Sequence, residues 1–261
     1  QTFGSETTDT KRIIDFMDKV CEIKLQPFID QSYNELAKYL NSLEQKMHMK
    51  REVLADKGFW TAKKRYALNV WNSEGVAYDP PEVKISGLEM VKSSTPGVCK
   101  VKLKKAVELI LRGNNDDVIK FISEFKKEFK TLPVHEIASP RGVSGIKFYK
   151  ENSQKGYKKG TPMHVRGSIV YNNFLEQNDL TKKYQTIKEG EKIKYIYLKE
   201  PNMIGENIIA FPQVLPAEFN IEKFVDYNAQ FEKTFLNPLT IILDCIGWKA
   251  SRGSSLSAFF S

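Results

Sequence analysis

Three consecutive cations, Lys63, Lys64 and Arg65, stand between the aromatic residues Trp60 and Tyr66 in the segment Gly58-Phe59-Trp60-Thr61-Ala62-Lys63-Lys64-Arg65-Tyr66-Ala67-Leu68-Asn69-Val70. The apolar alternation that follows predicts that these cations enter a β-strand. Side chains of a strand alternate between faces, so Lys64 and Tyr66 would point one way and Lys63 and Arg65 the other. Such a cluster can address a backbone phosphate and a base edge together, which is chemistry suited to nucleic acid. Charge clustering alone would equally describe a solvated basic face.

Other chemistries find little support. Cys21, Cys99 and Cys245 are widely spaced and odd in number, and read as reduced, mostly buried thiols rather than a zinc or redox motif. His48, His135 and His164 form no H-E-x-x-H or other ligand spacing, so no metal site built by this chain is expected. Asp116-Asp117 and Glu189-Gly190-Glu191 read as solvated helix-start or turn carboxylates. Forty basic against 32 acidic residues give a net charge of +8, which suits an anionic partner. With 261 residues, 41% of them hydrophobic, the chain can bury a sizeable core. No apolar run approaches the roughly 20 residues of a membrane span. The stretch Gln1 to Thr10 is polar and acidic, so neither a membrane anchor nor a secretory leader is expected.

The elements that would position these residues can be read from periodicity. Apolar residues recur at helical spacing from Asp9 to Lys46, with Pro27 predicted to divide two helices from its first turn. Arg51 to Ala55, Lys64 to Trp71, Val76 to Tyr78 and Val83 to Ser86 read as short antiparallel strands separated by Gly58, Asn72-Ser73-Glu74-Gly75 and Pro80-Pro81. Ser93-Ser94-Thr95-Pro96 predicts an N-cap and first-turn proline for a helix reaching about Leu111, and a second helix is expected over Asp116 to Lys130. Its Val118, Phe121, Ile122, Phe125 and Phe129 form the inward face. Ser139 to Lys159 reads as loop, Thr161-Pro162 opens a further helix past Tyr171, and Ile193 to Leu198 pairs as a strand with Ile208 to Phe211. Helices are expected last, over Ile221 to Phe235 and Pro238 to Ile246. The fold class is α+β.

The lysine-rich segment resembles the strand that closes the palm of family B DNA polymerases of the T-even phage type. Gly87-Leu88-Glu89, Lys92-Ser93-Ser94-Thr95-Pro96, Met163-His164-Val165-Arg166-Gly167 and Ala210-Phe211-Pro212 follow in that family's order, and Phe16-Met17-Asp18-Lys19 and Met49-Lys50-Arg51-Glu52 precede it. The resemblance covers nearly the whole chain. It implies the end of a palm, helices plus antiparallel sheet, over 1–88, and a mainly helical thumb with a small β element over 89–250. A tail follows over 251–261.

By the same resemblance Lys63, Lys64, Arg65 and Tyr66 contact the primer end of primer-template DNA, with Lys64 in the minor groove, where acceptors are nearly independent of sequence. Ser139, Tyr149, Lys159, His164 and Arg166 align with phosphate contacts, with Lys147 and Lys158 as neighbours. A surface helix arginine and a satisfied core histidine would carry the same signature at positions 166 and 164. Glu52 aligns with an acidic residue near the family's active site, but Lys50 stands where the family has an aspartate. The family's Asp-Thr-Asp turn and its third metal-binding aspartate do not occur here, so the Mg2+ of a complete enzyme would be bound outside this chain and the chain alone would be inactive. Leu256, Phe259 and Phe260 resemble the apolar anchors of sliding-clamp-binding peptides, with Gly253 in place of the usual glutamine. The implied partners are primer-template DNA, the N-terminal portion of the polymerase and the clamp, in the cytoplasm of an infected bacterial host. A basic DNA-binding or clamp-associated accessory protein is the alternative.

Overall fold

The computed structural model describes residues 9–152 and 156–252. The chain divides into two compact units, with the break after Ser86. Both combine helices with antiparallel sheet, the α+β class expected from the sequence.

In the first unit α1 (Thr10–Val20) starts where the Asp9 carboxylate accepts from the amides of Lys11 and Arg12, at 3.1 and 3.4 Å. It runs without a break through a π-helical segment, Cys21–Leu25, into α2 (Gln26–Tyr39). Pro27 therefore does not divide two helices. Its ring crowds the carbonyl four residues back and it offers no N–H; the wider turn just before it, closed by Gln26 N on Cys21 O, absorbs both defects.

The sheet has the order β1-β2-β3, with β1 at Val53–Ala62, β2 at Arg65–Ser73 and β3 at Val76–Ser86. Gly58 lies inside β1 rather than between strands. A Cβ there would stand 2.4 Å from Leu68 Cδ2, so the glycine permits close cross-strand packing instead of making a turn. Glu74 and Gly75 form the β2–β3 turn with φ of 52° and 90°, the pattern that matches strand twist. Pro80 and Pro81 do not separate two strands. They sit in a bulged stretch of β3, where the pairing jumps from Val70↔Glu82 to Asn72↔Ala77 and no ladder donor is required of them. Ile14, Phe59, Ala67 and Val70 are this unit's buried apolar residues among those described.

In the second unit a 3-10 turn, Glu89–Val91, precedes α3 (Gly97–Arg112). Pro96 is the N-cap residue rather than the first helical position, and Thr95 donates its hydroxyl to Glu89 O at 2.8 Å instead of capping. Asn114 caps α4 (Asn115–Phe129), accepting from Asp117 N at 3.0 Å. Phe125 and Phe129 of α4 meet Phe231 and Phe235, all four buried, with ring centroids 4.7–5.7 Å apart. The last two rings come from α8 (Tyr227–Phe231) and a second π-helical segment, Glu232–Leu236, which continues into α9 (Asn237–Cys245). The regular helix expected from Ile221 is thus broken into a short 3-10 turn, α8 and the π segment.

Between these helices lie α5 (Val134–Ile137), β4 (Ser139–Gly142), α6 (Ile146–Tyr149), α7 (Met163–Gln177), β5 (Lys192–Tyr197) and β6 (Ile208–Phe211). The β5–β6 pair is as the sequence predicts, but β4 completes the sheet from a stretch read as loop. Its four residues include Pro140 and Gly142, which mask a strand at a sheet edge. Helix α7 packs against β6 through Gly167, where a Cβ would lie 2.9 Å from Ala210 N. The thiols also depart from expectation: Cys99 is buried, Cys21 half-buried and Cys245 exposed.

Candidate nucleic-acid interface

Of the cationic cluster only Arg65 enters β2. Lys63 and Lys64 form the two-residue turn between β1 and β2, with Ala62 paired to Arg65. Strand alternation therefore ends at Ala62 and resumes at Arg65, and the two lysines project together from the hairpin tip, both exposed. Lys64 takes a φ of 62°, which costs a residue with a Cβ about 1–2 kcal/mol. Its carbonyl accepts from the Ser86 hydroxyl at 3.3 Å, tying the tip to the end of β3. Below the tip Trp60 and Tyr66 are cross-strand partners and so share one face, their rings 6.3 Å apart. Trp60 remains 60% exposed, an open aromatic surface beneath a dibasic turn.

In the second unit, the candidates Lys147, Tyr149, Lys158, Lys159, His164 and Arg166 lie on α6, the start of α7 and the segment between them. Lys158 donates its amide to Tyr149 O at 3.0 Å, and its ammonium sits 4.6 Å over the Phe148 ring. Gly145, at φ 85°, lets the chain turn against the Tyr149 ring. Glu189 closes the loop from 43 residues away: its carboxylate accepts from the amides of Gly145 and Ile146, the latter at 3.0 Å. It is therefore a cap for α6 and not the free turn carboxylate expected, whereas Glu191 does close a turn, accepting from Lys188 N at 3.0 Å. Asp116 also has a partner, Arg252, in an exposed ion pair.

Arg166 lies in the first turn of α7 with its Nη2 on Asn207 Oδ1 and its guanidinium 5.9 Å from the Tyr157 ring centre. Its buried Nε has no partner among the described residues. Tyr157 donates to Glu206 at 2.6 Å, and burial, reinforced by that carboxylate, pushes its phenol up to about 12. Lys147 and Lys159 are exposed.

His164, one turn of chain before Ser168, has its pKa lowered by burial and then by the charge of Arg141, so at neutral pH the ring is uncharged. The sign of the consequence follows. An unfolded histidine protonates near pH 6.5, above the folded value, so the unfolded state binds more protons as pH falls through that window and stability is lost. Urea midpoints measured at pH 7.5 and 5.5 should fall more in the native chain than in a His164→Gln variant. Parallel losses would mean that His164 carries no such linkage.

Ser139 does not join this patch. It is buried in β4, and its hydroxyl accepts from Gln230 Nε2 at 3.3 Å. Gln230, fully buried, also donates to Ile137 O at 2.7 Å and accepts from Tyr197 N at 3.3 Å, so Ser139 belongs to an internal polar network. Leu256, Phe259 and Phe260 lie outside the described residues. The sequence reading missed Arg141, Phe148, Tyr157 and Asn207. Phe148 and Tyr157 adjoin chosen residues in sequence and were within reach; Asn207 comes from a distant loop with no local signal.

Glu52 lines a cleft of about 930 Å³ within the first unit, together with Asp18, Glu22, Asp30, Lys50 and Arg51. It forms an ion pair with Lys84, and Arg51 pairs with Asp18 at 2.5 Å. Among the described residues no three His, Cys, Asp or Glu side chains are placed to hold a metal ion together. No helix among them is long and apolar enough to cross a membrane.

No protein-family model matches the chain. Among curated proteins it is 31% identical over 260 residues to the DNA-directed DNA polymerase of Enterobacteria phage T4, a match spanning 95% of this chain and 28% of that enzyme. It is 35% identical over 247 residues to the DNA-directed DNA polymerase of Escherichia phage RB69, covering 90% of this chain and 27% of that one. The chain thus spans little more than a quarter of the length of these relatives.

Proposed function

We propose that this chain is the palm-end and thumb portion of a phage DNA-directed DNA polymerase and that it holds primer-template duplex during replication in the infected host's cytoplasm. The observation that carries this reading is the match to two phage polymerases over at least 90% of the chain. The first unit supports it with a dibasic hairpin tip over exposed Trp60 and half-buried Tyr66, suited to a primer end. The second supports it with Lys147, Lys158, Lys159 and Arg166, which suit the register-setting phosphate contacts of a duplex grip.

Phosphoryl transfer by two metal ions needs carboxylates that hold both ions, and these would come from polypeptide outside the matched region. The chain by itself then binds duplex and extends no primer. The tail carrying Leu256, Phe259 and Phe260 would hold the sliding clamp.

The test is a salt titration of primer-template binding by fluorescence anisotropy. With about five phosphates neutralised, log affinity should fall with log salt at a slope of about −4.5, a loss of about 10²–10³-fold between 50 and 200 mM. In the same titration Phe259→Ala/Phe260→Ala should leave DNA binding unchanged while abolishing retention on clamp-loaded duplex. Salt-independent or undetectable duplex binding would refute the DNA-gripping role.

A further inference from the structure

The three-stranded sheet of the first unit has two unlike faces. Phe59, Ala67 and Asn69 point to one of them and are buried. Alternation sends Gly58 and Trp60 of β1 to the other, with their partners Leu68 and Tyr66 of β2 and, beyond these, Lys84 and Ser86 of β3. Near the hairpin tip that second face is open: Gly58 is exposed, and Leu68, Tyr66, Lys84 and Ser86 are half-buried. The Trp60 indole is folded back over Gly58, where a Cβ would stand 3.5 Å from Trp60 Cη2. A bare glycine on an edge strand is thereby covered. One side of the ring rests on the strand, yet 60% of the residue still meets solvent. What remains is a flat aromatic surface laid along the sheet just below the Lys63-Lys64 turn.

We infer that this open face takes an unpaired nucleobase of the primer strand, stacked on the Trp60 indole. The inference rests on the primer-end role proposed above for the hairpin tip. Two observations choose this occupant. Among the described residues of the three strands the exposed large apolar side chains are Trp60 and Val76, and Val76 stands at the opposite turn. A protein partner would need a contiguous apolar patch, whereas one flat ring suits one flat ligand. The second observation is charge. Lys84 is held by Glu52, so the cations offered beside the ring are Lys63 and Lys64, which suit the phosphate that such a ligand carries. Bases inside a duplex are stacked on both sides and present only their edges to the grooves. An indole laid flat therefore suits a base that has left its pair, and it accepts any of the four because each has a π face.

The test compares two primer-template duplexes that differ only at the last primer residue, a mispaired thymidine in one and an abasic sugar-phosphate in the other. The native chain should bind the thymidine end about 5- to 150-fold more tightly, the span of one base–aromatic stack. In Trp60→Leu, which keeps Gly58 covered but has no ring, that ratio should fall to about one, and Trp60→Phe should restore part of it. Indole emission of the native chain should be quenched more by the thymidine end than by the abasic end. Subtracting the Trp60→Leu signal removes Trp71 and Trp248 from that comparison. A native ratio of about one overturns the inference, as does a ratio that Trp60→Leu retains. So does discrimination that appears only when the abasic residue is moved into the template overhang. Failure of the polymerase reading is separable, because it would appear as absent salt-dependent binding of the fully paired duplex. The same base-against-abasic comparison on single-stranded oligothymidine would then decide whether the ring stacks a base, and a ratio of about one there would overturn the inference by itself.

Discussion

Lys63→Glu combined with Lys64→Glu should weaken primer-template binding by about 100-fold at 0.1 M salt and flatten the salt slope by about two, the expected result of removing two phosphate contacts and introducing repulsion. Both side chains are exposed in the β1–β2 turn, so fold stability should be nearly unchanged. Lys64→Gly separates charge from backbone. Glycine adopts a φ of 62° freely, so this variant should be about 1 kcal/mol more stable in urea while still binding duplex less tightly. If the double variant binds like the native chain, the tip is a solvated turn and the grip lies elsewhere.

Phe125→Ala should lower the unfolding free energy of the second unit by about 3–5 kcal/mol, because the side chain is 1% exposed and meets three other rings. The rings come from both ends of the sequence segment 125–235, so collapse around the cavity would require shifting α4 against α8 and the following π segment. Phe148→Ala is the comparison. That ring is 66% exposed, and its loss should change stability by under about 0.5 kcal/mol while removing the platform under Lys158. Urea denaturation of both variants decides it: similar small effects would mean that the four-ring cluster is not the core of this unit.

The extent to which the sequence could be read depended on whether a residue's fate is local. The inward face of α4 and the β5–β6 pair follow from periodicity, since burial on one face imposes a repeat. The hairpin tip was misjudged because turn residues are normally recognised by Gly, Asn or Asp, and Lys63-Lys64 uses a lysine at positive φ instead. Pro27 was misplaced because the π segment that accommodates it leaves no mark in composition. Tyr149 and Arg166 were named from the resemblance and Lys158 as their neighbour, and all three lie on or beside α6 and the start of α7. The burial of Ser139 could not be read from the sequence, because it depends on Gln230, 91 residues away. Asn207 and Glu189 reach the same region from loops whose local sequence says nothing about their targets.

The carboxylate of Glu189 has a consequence for how duplex would be admitted. The amides of Gly145 and Ile146 both donate to this one acid, so the pair of main-chain donors is already filled. On the duplex-gripping role proposed above, a phosphate approaching α6 would meet an occupied seat and a negative charge and would be turned toward the ammonium groups of Lys147 and Lys158. The loop would then act as a kerb along the binding track, leaving the strand on long side chains rather than on main-chain donors.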